Sequence, residues 1–405
     1  MWAFLAPFLA TPAGAMPLAE AVRLGLANNP DVQAAKVDIA AAETDVAIAT
    51  NGYLPTLSVS GGPRSFSFDD VTYDVTAAQT VYDWGRTTSR VDGAKALKRQ
   101  AAADALVRRD AAALDIVELY LDILLNEGLI ETDRRHIERL ELIHQMTQAR
   151  ASGGYSDKSE PERSGLELAR ARERMAEDEG RRRDVGNQFL LLVGEPATNL
   201  NTPSPDPLLA SAMTRGFEAA VPDAPLYQKA IEDTRVAEAT AREARAGQLP
   251  QLNLEASTLR RDLGGRAQSD TMVGVRFRMD TMQGLSSFQR ARAAQQRVES
   301  ARWREGVVAR DISRDVRNMI DMLDLLVARE KTLLEQVDGS AALGHLYAEQ
   351  FEVGRRDVID LLNVQRETFE ADRQAITVRI EQLRLHYRIA AKLGLIDRSL
   401  EGPEA

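Results

Sequence analysis

The sequence predicts a mainly α-helical protein with a smaller β part, built as a tandem duplication of long helical hairpins and strand pairs. Apolar residues recur at helical spacing over several long stretches, and polarity alternates with a period of two in four shorter ones. Breaking residues also recur at a fixed offset: Gly154 is answered by Gly354, and Gly194 by Gly394. Such a repeat is typical of a chain that builds one structural unit twice.

The composition agrees with long, charged helices. Among 405 residues only 5% are aromatic while 28% are charged, which disfavours a compact aromatic core. The net charge of −10 makes nucleic acid an unexpected partner. The sequence contains no cysteine, so disulfides, thiolate nucleophiles and cysteine metal sites are excluded, and no cysteine is present to which a lipid could be attached.

Residues 1–15 are apolar and uncharged, and they end in Ala13-Gly14-Ala15. This small-residue pattern predicts a secretory signal peptide that is cleaved after Ala15. No later apolar run is long enough for a transmembrane helix.

The first repeat is predicted to span residues 16–200. Its short amphipathic helix ends at the breaker Asn28-Asn29-Pro30, and an Ala-rich helix follows to about Thr50. In the first strand, Leu57 and Val59 face one way and the neighbouring hydroxyl residues the other. The strands are expected at about 54–67 and 71–83, before a long hairpin with its turn near 154.

After a linker at 201–222, the pattern restarts. Ala224-Pro225 matches Asn29-Pro30, and Pro250 corresponds to Pro55 at the start of a strand. The second repeat is predicted at 223–395, with strands at about 249–261 and 270–281, a long hairpin turning near 354, and a tail at 396–405.

The stretch from Phe351 to Gln365 lies between two long helical patterns. Gly354 interrupts them, and Val358 begins a new apolar stripe. Asp357 has the residue type and position of a helix N-cap. The stretch is therefore predicted to form the short turn of a helical hairpin.

Four amphipathic strands in one chain raise a closure problem. The smallest barrels need about eight strands, and an open sheet with an apolar face leaves exposed edges. Each strand is long enough to cross an outer-membrane bilayer when tilted. Two chains sharing a barrel would give a filled interior of eight strands, and three would give twelve strands and a channel. The alternative is a soluble β-layer packed on helices, which would show the same alternation.

Four segments together resemble the TolC family of outer-membrane efflux and secretion ducts, over nearly the whole mature chain. They are Asn28-Asn-Pro-Asp-Val32, Tyr53-Leu-Pro-Thr-Leu57, Val81-Tyr-Asp-Trp-Gly-Arg86 and Phe351–Gln365. The resemblance implies a homotrimer with a twelve-stranded barrel in the outer membrane and a twelve-helix tunnel in the periplasm. It also implies export driven by an inner-membrane transporter, of the ABC or proton-driven kind, through a periplasmic adaptor (membrane fusion) protein. Outer-membrane lipid would surround the four strands of each chain, which would then be transmembrane.

The resemblance further implies a gate at the periplasmic tip, closed by links between neighbouring coils and narrowed by acidic rings. A pair of arginine and carboxylate suits such a latch because it is bidentate and breakable. Two of the matching positions depart from the family's pattern, one being an amide and the other lacking a hydroxyl. The two ring positions fall on Asp360 and on the amide Asn363. The linking arginine falls on Arg356, and the aromatic link position falls on Phe351, which has no hydroxyl. The acceptors of these links fall near Ser159 and Glu160 on the first hairpin.

An enzyme is not expected. The four histidines lie in helical patterns and form no ligand cluster, and the sequence has neither a Gly-rich phosphate loop nor a nucleophile elbow. No cofactor and no metal are therefore predicted. The competing hypothesis is a soluble periplasmic coiled-coil adaptor. Among duct functions, the absence of cysteine favours type I protein secretion over lipidated drug-efflux ducts.

Overall fold

The computed structural model describes residues 16–63, 71–204, 216–263, 266–279 and 286–396. Within these ranges the chain forms seven α-helices and four strands. The helices are α1 (Leu18–Asn28), α2 (Pro30–Thr50), α3 (Arg86–Ser152), α4 (Ser159–Val193), α5 (Pro225–Ala246), α6 (Ser286–Glu352) and α7 (Val358–Leu393). The strands are β1 (Thr56–Pro63), β2 (Val71–Tyr82), β3 (Gln251–Leu263) and β4 (Arg266–Arg278).

This element order confirms the predicted fold class. A strand pair, a long helix and a second hairpin helix occur twice in the same sequence. Several predicted features lie outside the described residues: the signal peptide, the end of the first strand at 64–67, the centre of the linker, and the tail beyond residue 396. None of the described helices combines the length and apolarity needed to cross a membrane.

Strand β4 differs most from its predicted bounds. It begins at Arg266, before the predicted 270, and ends at Arg278, before the predicted 281. Pairing with β3 continues to the last rung, Leu263 opposite Arg266. Backbone pairing, rather than side-chain alternation, therefore sets the start of β4, because its first residues carry no clear apolar alternation.

The chain divides into two compact units, each drawn from both repeats. Unit 1 contains residues 1–32, 109–221 and 312–405, and unit 2 contains residues 33–108 and 222–311. The hairpin turns belong to unit 1, and the four strands belong to unit 2.

An aromatic anchor holds the start of the described chain in unit 1. Tyr120 of α3 is fully buried, and its ring lies 6.4 Å from the ring of Phe189 in α4. The Tyr120 hydroxyl lies within donating distance of two backbone carbonyl oxygens, that of Met16 at 2.9 Å and that of Asn201 at 2.8 Å. It also accepts a hydrogen bond from the Asn201 N–H at 2.9 Å. One buried hydroxyl thus fixes the segment before α1 and the segment after α4 to the long helix.

A buried ion cluster joins α3, α4 and α7. Arg373 Nη1 donates to Asp133 Oδ1 at 2.7 Å and to Asp178 Oδ2 at 2.6 Å. Burial, together with the nearby Asp178, raises the pKa of Asp133 to about 6. Burial alone would also raise the pKa of Asp178, but hydrogen bonds from Arg373 and Arg181 hold that pKa below its usual value. One carboxylate is therefore fixed as an anion, while the other titrates near pH 6.

Unit 2 contains one antiparallel sheet in the order β1-β2-β3-β4. Its register aligns one apolar row across all four strands: Leu57 opposite Ala77, Ala77 opposite Ala256, and Ala256 opposite Val273. The row one residue along is Ser58, Thr76, Ser257 and Met272. The sheet thus has an apolar face and a largely polar face, as the alternation of the sequence predicted.

Large side chains on the apolar face are exposed in the described part of the chain. Leu57, Val273 and Phe277 are 70%, 68% and 74% exposed. On the polar face, Glu255 is buried and forms ion pairs with Arg276 at 3.0 Å and Arg278 at 3.4 Å. An apolar sheet face of this extent requires a cover that the described residues do not supply.

Candidate functional site

The two hairpin turns of unit 1 have the same backbone geometry. Gly154 and Gly354 have φ angles of +75° and +73°, in the left-handed region that favours glycine. In each turn the glycine N–H and the following N–H donate back to the helix end, at 3.2 and 2.9 Å in the first turn and at 3.0 and 2.8 Å in the second. This Schellman pattern ends α3 and α6 at equivalent positions.

An aspartate precedes the second helix of each hairpin, Asp157 by two residues and Asp357 by one. Asp357 Oδ1 accepts from the Ile359 N–H at 3.0 Å, so Asp357 caps α7 as the sequence predicted. Asp157 accepts from the Ser159 N–H at 2.7 Å and also from the Ser159 hydroxyl. Ser159 is exposed, and these bonds place it at the first turn of α4.

Arg356 and Asp360 are brought together. Arg356, just before α7, has its Nη1 3.1 Å from Oδ2 of Asp360 in the first turn of that helix. Arg356 also donates to Gln350 at 3.2 Å, and its guanidinium lies 4.1 Å from the centre of the Tyr347 ring. Both charged side chains are only partly buried, which keeps the pair within reach of other partners.

Phe351 lies in the apolar core of the tip rather than on its surface. Its side chain is fully buried in a cluster with Leu140, Ile143 and Leu361. The ring therefore packs α6 against α3 and α7, and its lack of a hydroxyl suits this apolar environment.

The structure identifies Arg150, which the sequence did not single out, as the side chain that joins the two tips. Its guanidinium lies 4.4 Å from the Phe351 ring centre, and Nη1 donates to the Phe351 carbonyl at 2.5 Å. Arg150 Nε also lies 3.6 Å from Glu160 Oε2, with both side chains about one-fifth exposed. The one sequence feature that could have pointed to Arg150 is the duplication. Arg150 occupies the position that corresponds to Gln350 in the second repeat, so the two hairpins differ here by a charge.

Glu160 and Asn363 therefore have partners within the chain. Glu160 pairs with Arg150, and Asn363 Oδ1 accepts from Arg366 at 3.1 Å. Arg356 does not contact Ser159 or Glu160 among the contacts of the described residues. Arg150 thus joins Glu160 of the first hairpin to Phe351 of the second, whereas Arg356 pairs with Asp360 within the second hairpin.

An open cleft of about 660 Å³ lies between the starts of α4 and α7. Its lining is acidic: five carboxylates face two arginines. The charged residues are Asp157, Glu160, Glu162, Glu167 and Asp357, with Arg163 and Arg170. Such a surface attracts cations and basic side chains.

No group of side chains among the described residues could hold a metal ion. The contacts described at the tip are ion pairs, hydrogen bonds and apolar packing.

Comparison with known proteins gives concordant results. A model of the outer membrane efflux protein family matches residues 21–195 and 220–395. The outer-membrane channel OprN is similar at a TM-score of 0.79 with 17% identity, covering 93% of this chain and 89% of its own. CusC, whose structures concern folding and transmembrane channel formation, has a TM-score of 0.82 with 12% identity and 95% coverage of both chains. The outer membrane protein VceC of Vibrio cholerae has a TM-score of 0.81 with 13% identity, covering 93% and 96%.

No curated protein sequence matches the chain significantly. At these identities the structural likeness shows the fold alone, and the family model supplies the assignment. It spans both repeats and confirms the resemblance to TolC-like ducts that the sequence motifs indicated. The chain belongs to the outer membrane efflux protein family.

Proposed function

We propose that three copies of this chain form an export duct in the outer membrane, with a twelve-stranded barrel and a periplasmic helical tunnel. The observation that carries the proposal is the sheet. It has four strands, a bare apolar face and a polar face, and among the described residues β1 and β4 each pair on one side only.

Closure explains the number of chains. Four strands are too few for a barrel, and a barrel of eight is filled by its own side chains, whereas twelve leave a bore. In a shared barrel, β4 of one copy would pair with β1 of the next, which removes both free edges. The row through Leu57 and Val273 would face lipid, and the row through Ser58 and Ser257 would face water.

The first test is location and mass. We expect the protein in isolated outer membranes, with a detergent-extracted mass of three chains. A soluble monomer in the periplasm would contradict the duct and support the adaptor hypothesis instead, with the apolar sheet face packed against another soluble surface.

At the tip, we propose that the residues of the two hairpin starts form the gate. Asp360 would line the bore, with Asn363 at a second ring position, and Arg356 would exchange its partner within α7 for Ser159 or Glu160 of a neighbouring copy. The partly exposed pair of Arg356 and Asp360 supports this exchange, because such pairs contribute little free energy and break readily. Phe351 would hold the tip's packing and would not form a link itself.

Single-channel recording tests the gate. Asp360→Ala removes a carboxylate at the proposed constriction, so cation block should weaken or conductance should rise. Asp338→Ala removes an exposed carboxylate from α6 away from the turn and serves as the control. Equal effects of the two variants would remove Asp360 from the constriction.

For partners, we propose a periplasmic adaptor protein and an inner-membrane transporter of the ABC or proton-driven kind. The acidic cleft between α4 and α7 supports docking of a basic surface at the tip. Charge reversal at Glu162, an exposed residue of that cleft, should weaken adaptor capture in a salt-dependent way. Unchanged capture would place the adaptor elsewhere.

For cargo, we propose protein secretion of the type I kind, which the absence of cysteine favours over lipidated drug-efflux ducts. Deletion of the gene should remove specific proteins from the culture medium, as measured by mass spectrometry. Sensitisation to small toxic compounds with an unchanged secretome would identify small-molecule efflux as the function instead.

A further inference from the structure

A second cleft, of about 210 Å³, lies in unit 1 between α3, α4 and α7. Its apolar lining includes Leu140, Leu362 and Phe369, all of which are at least nine-tenths buried. The ring of His136 stacks on that of Phe369, with centroids 4.1 Å apart and an angle of 9° between the planes. The lining thus offers planar and aliphatic surface to a ligand.

His136 introduces one polar atom into this lining. Its side chain is 7% exposed, and its Nδ1 has no hydrogen-bond partner among the described residues. Burial lowers the pKa of His136 to about 4, helped by the charges of Arg139 and Arg174, so the ring is neutral at pH 7. Buried polar nitrogens are normally hydrogen-bonded, so the unpartnered Nδ1 of His136 is available to hydrogen-bond a ligand in the cleft.

The rim of the cleft is positively charged. Arg170, Arg174 and Arg366 line it, opposed by the carboxylates of Glu167 and Glu370. Arg170 is occupied by Glu167 at 2.8 Å, and Arg366 donates to the Asn363 amide oxygen at 3.1 Å.

Arg174 differs from the other two arginines. Its guanidinium lies 5.6 Å from the Phe369 ring centre and forms no ion pair with a carboxylate in the described part of the chain. Three guanidinium groups against two carboxylates leave one net positive charge beside an apolar lining.

We propose that this cleft binds a small amphipathic organic monoanion. Its carboxylate would accept from the Arg174 guanidinium and from His136 Nδ1–H, and its apolar body would lie against Leu140, Leu362 and Phe369. Charge-assisted hydrogen bonds at the head and apolar contact at the body are the usual division of work in a small-molecule pocket.

Binding here would act on the packing of the two hairpins. A ligand in the cleft would contact α4 and α7, the second helices of the two hairpins, and would stabilise their association by mass action. Neither a barrel nor a closed gate is required for such binding, so its test is separate from the test of the duct.

Calorimetric titration of the detergent-extracted full chain tests the proposal, with sodium benzoate as the probe. Benzylammonium chloride, a cation of similar size, and sodium sulfate, an anion without an apolar body, are the comparison ligands. We expect saturable binding of benzoate and much weaker binding of the other two. Absence of saturable benzoate binding, or binding of sulfate with equal affinity, would overturn the proposal.

Three variants assign the binding to the cleft. Arg174→Gln should weaken benzoate binding by about tenfold or more, since it removes a charge-assisted hydrogen bond. Arg172→Gln is the matched control: it lies on the same helix, is 60% exposed and pairs with Glu141 at 2.7 Å outside the cleft. Glu167→Gln frees Arg170 and removes a competing anion, so it should strengthen binding.

Equal affinity in the Arg174→Gln and Arg172→Gln variants would refute the site. Circular dichroism establishes that each variant retains its helices. If Arg174→Gln does not fold, the Glu167→Gln variant decides: tighter binding supports the cleft, and unchanged or weaker binding overturns it.

Discussion

Replacement of Arg373 by methionine should loosen the packing of α3, α4 and α7. The variant removes the guanidinium that contacts both Asp133 and Asp178, at 2.7 and 2.6 Å. The two carboxylates are 1% and 0% exposed, so water cannot replace the lost donor without local opening. Asp178 would retain Arg181, and Asp133, whose Oδ2 is already unpartnered, would have no cation.

The size of the effect follows from two bounds. Breaking a buried ion pair by removing one partner costs about 3–5 kcal/mol. Protonation limits the part of that loss that falls on Asp133: its pKa is about 6, so keeping its carboxyl neutral at pH 7 costs only about 1.4 kcal/mol. Asp178 loses one of its two charged donors, which costs about 1.5–3 kcal/mol. We therefore expect a total loss of about 3 kcal/mol at pH 7. The loss should shrink at pH 5, because Asp133 is then already mostly protonated and its part of the loss disappears.

Hydrogen exchange measured by mass spectrometry on the detergent-extracted protein reads this loss locally. Peptides covering residues 127–140 and 172–184 should exchange roughly a hundredfold faster at pH 7, since about 1.4 kcal/mol corresponds to a factor of ten. Arg379→Met removes an exposed arginine from the same helix and is the control. Equal protection of these peptides in both variants would refute the reasoning.

Three further predictions concern pH and the hairpin tip. Burial raises the pKa of Asp133 to about 6, so its stabilising contribution is complete below about pH 4 and is lost as the pH rises through 6. The variant Asp133→Asn should therefore flatten the plot of melting temperature against pH between about pH 4 and 7. An unchanged slope in this variant would contradict the prediction. Gly354→Ala should destabilise the folded protein by about 1–2 kcal/mol, because Gly354 has a φ of +73°. Gly339→Ala is the control: this glycine lies in a helix with equal free space around it, so alanine there should stabilise the fold by up to about 1 kcal/mol. Melting temperatures that shift in the same direction for both variants would contradict the role of backbone strain. Arg150→Met retains an apolar side chain beside the Phe351 ring but removes the donor to the Phe351 carbonyl. Proteolysis at the tip should therefore accelerate about tenfold. A cleavage rate equal to that of the wild type would show that this hydrogen bond does not stabilise the tip.

Features that depend on neighbouring residues were predictable from the sequence. Gly154 and Gly354 end their helices because few other residues adopt a positive φ, and Asp357 caps α7 because its short carboxylate reaches the next free N–H groups. The alternation of the strands predicted the two faces of the sheet for the same reason. Local chemistry decided each of these elements.

Contacts between distant residues were not predictable in this way. Arg373 lies 240 residues from Asp133, and Arg150 lies 201 residues from Phe351. On long helices rich in arginine and glutamate, an ion pair that is buried has the same sequence appearance as one that is solvated. The resemblance places an aromatic link position on Phe351, and only three-dimensional packing shows that its ring is fully buried in the apolar cluster of the tip.

The order of strands in the sheet has a consequence for how the protein reaches its folded state. Each repeat supplies one hairpin, and a two-stranded hairpin alone is marginally stable in water. The ladder between β2 and β3 joins residues such as Thr80 and Asn253, which are 173 positions apart. While the chain is synthesised, β1 and β2 are present before β3 and β4, so their apolar face and both edges of their hairpin remain uncovered. Apolar surface and unpaired strand edges promote aggregation during this interval. We expect a chaperone to bind the first repeat until the second repeat has been synthesised.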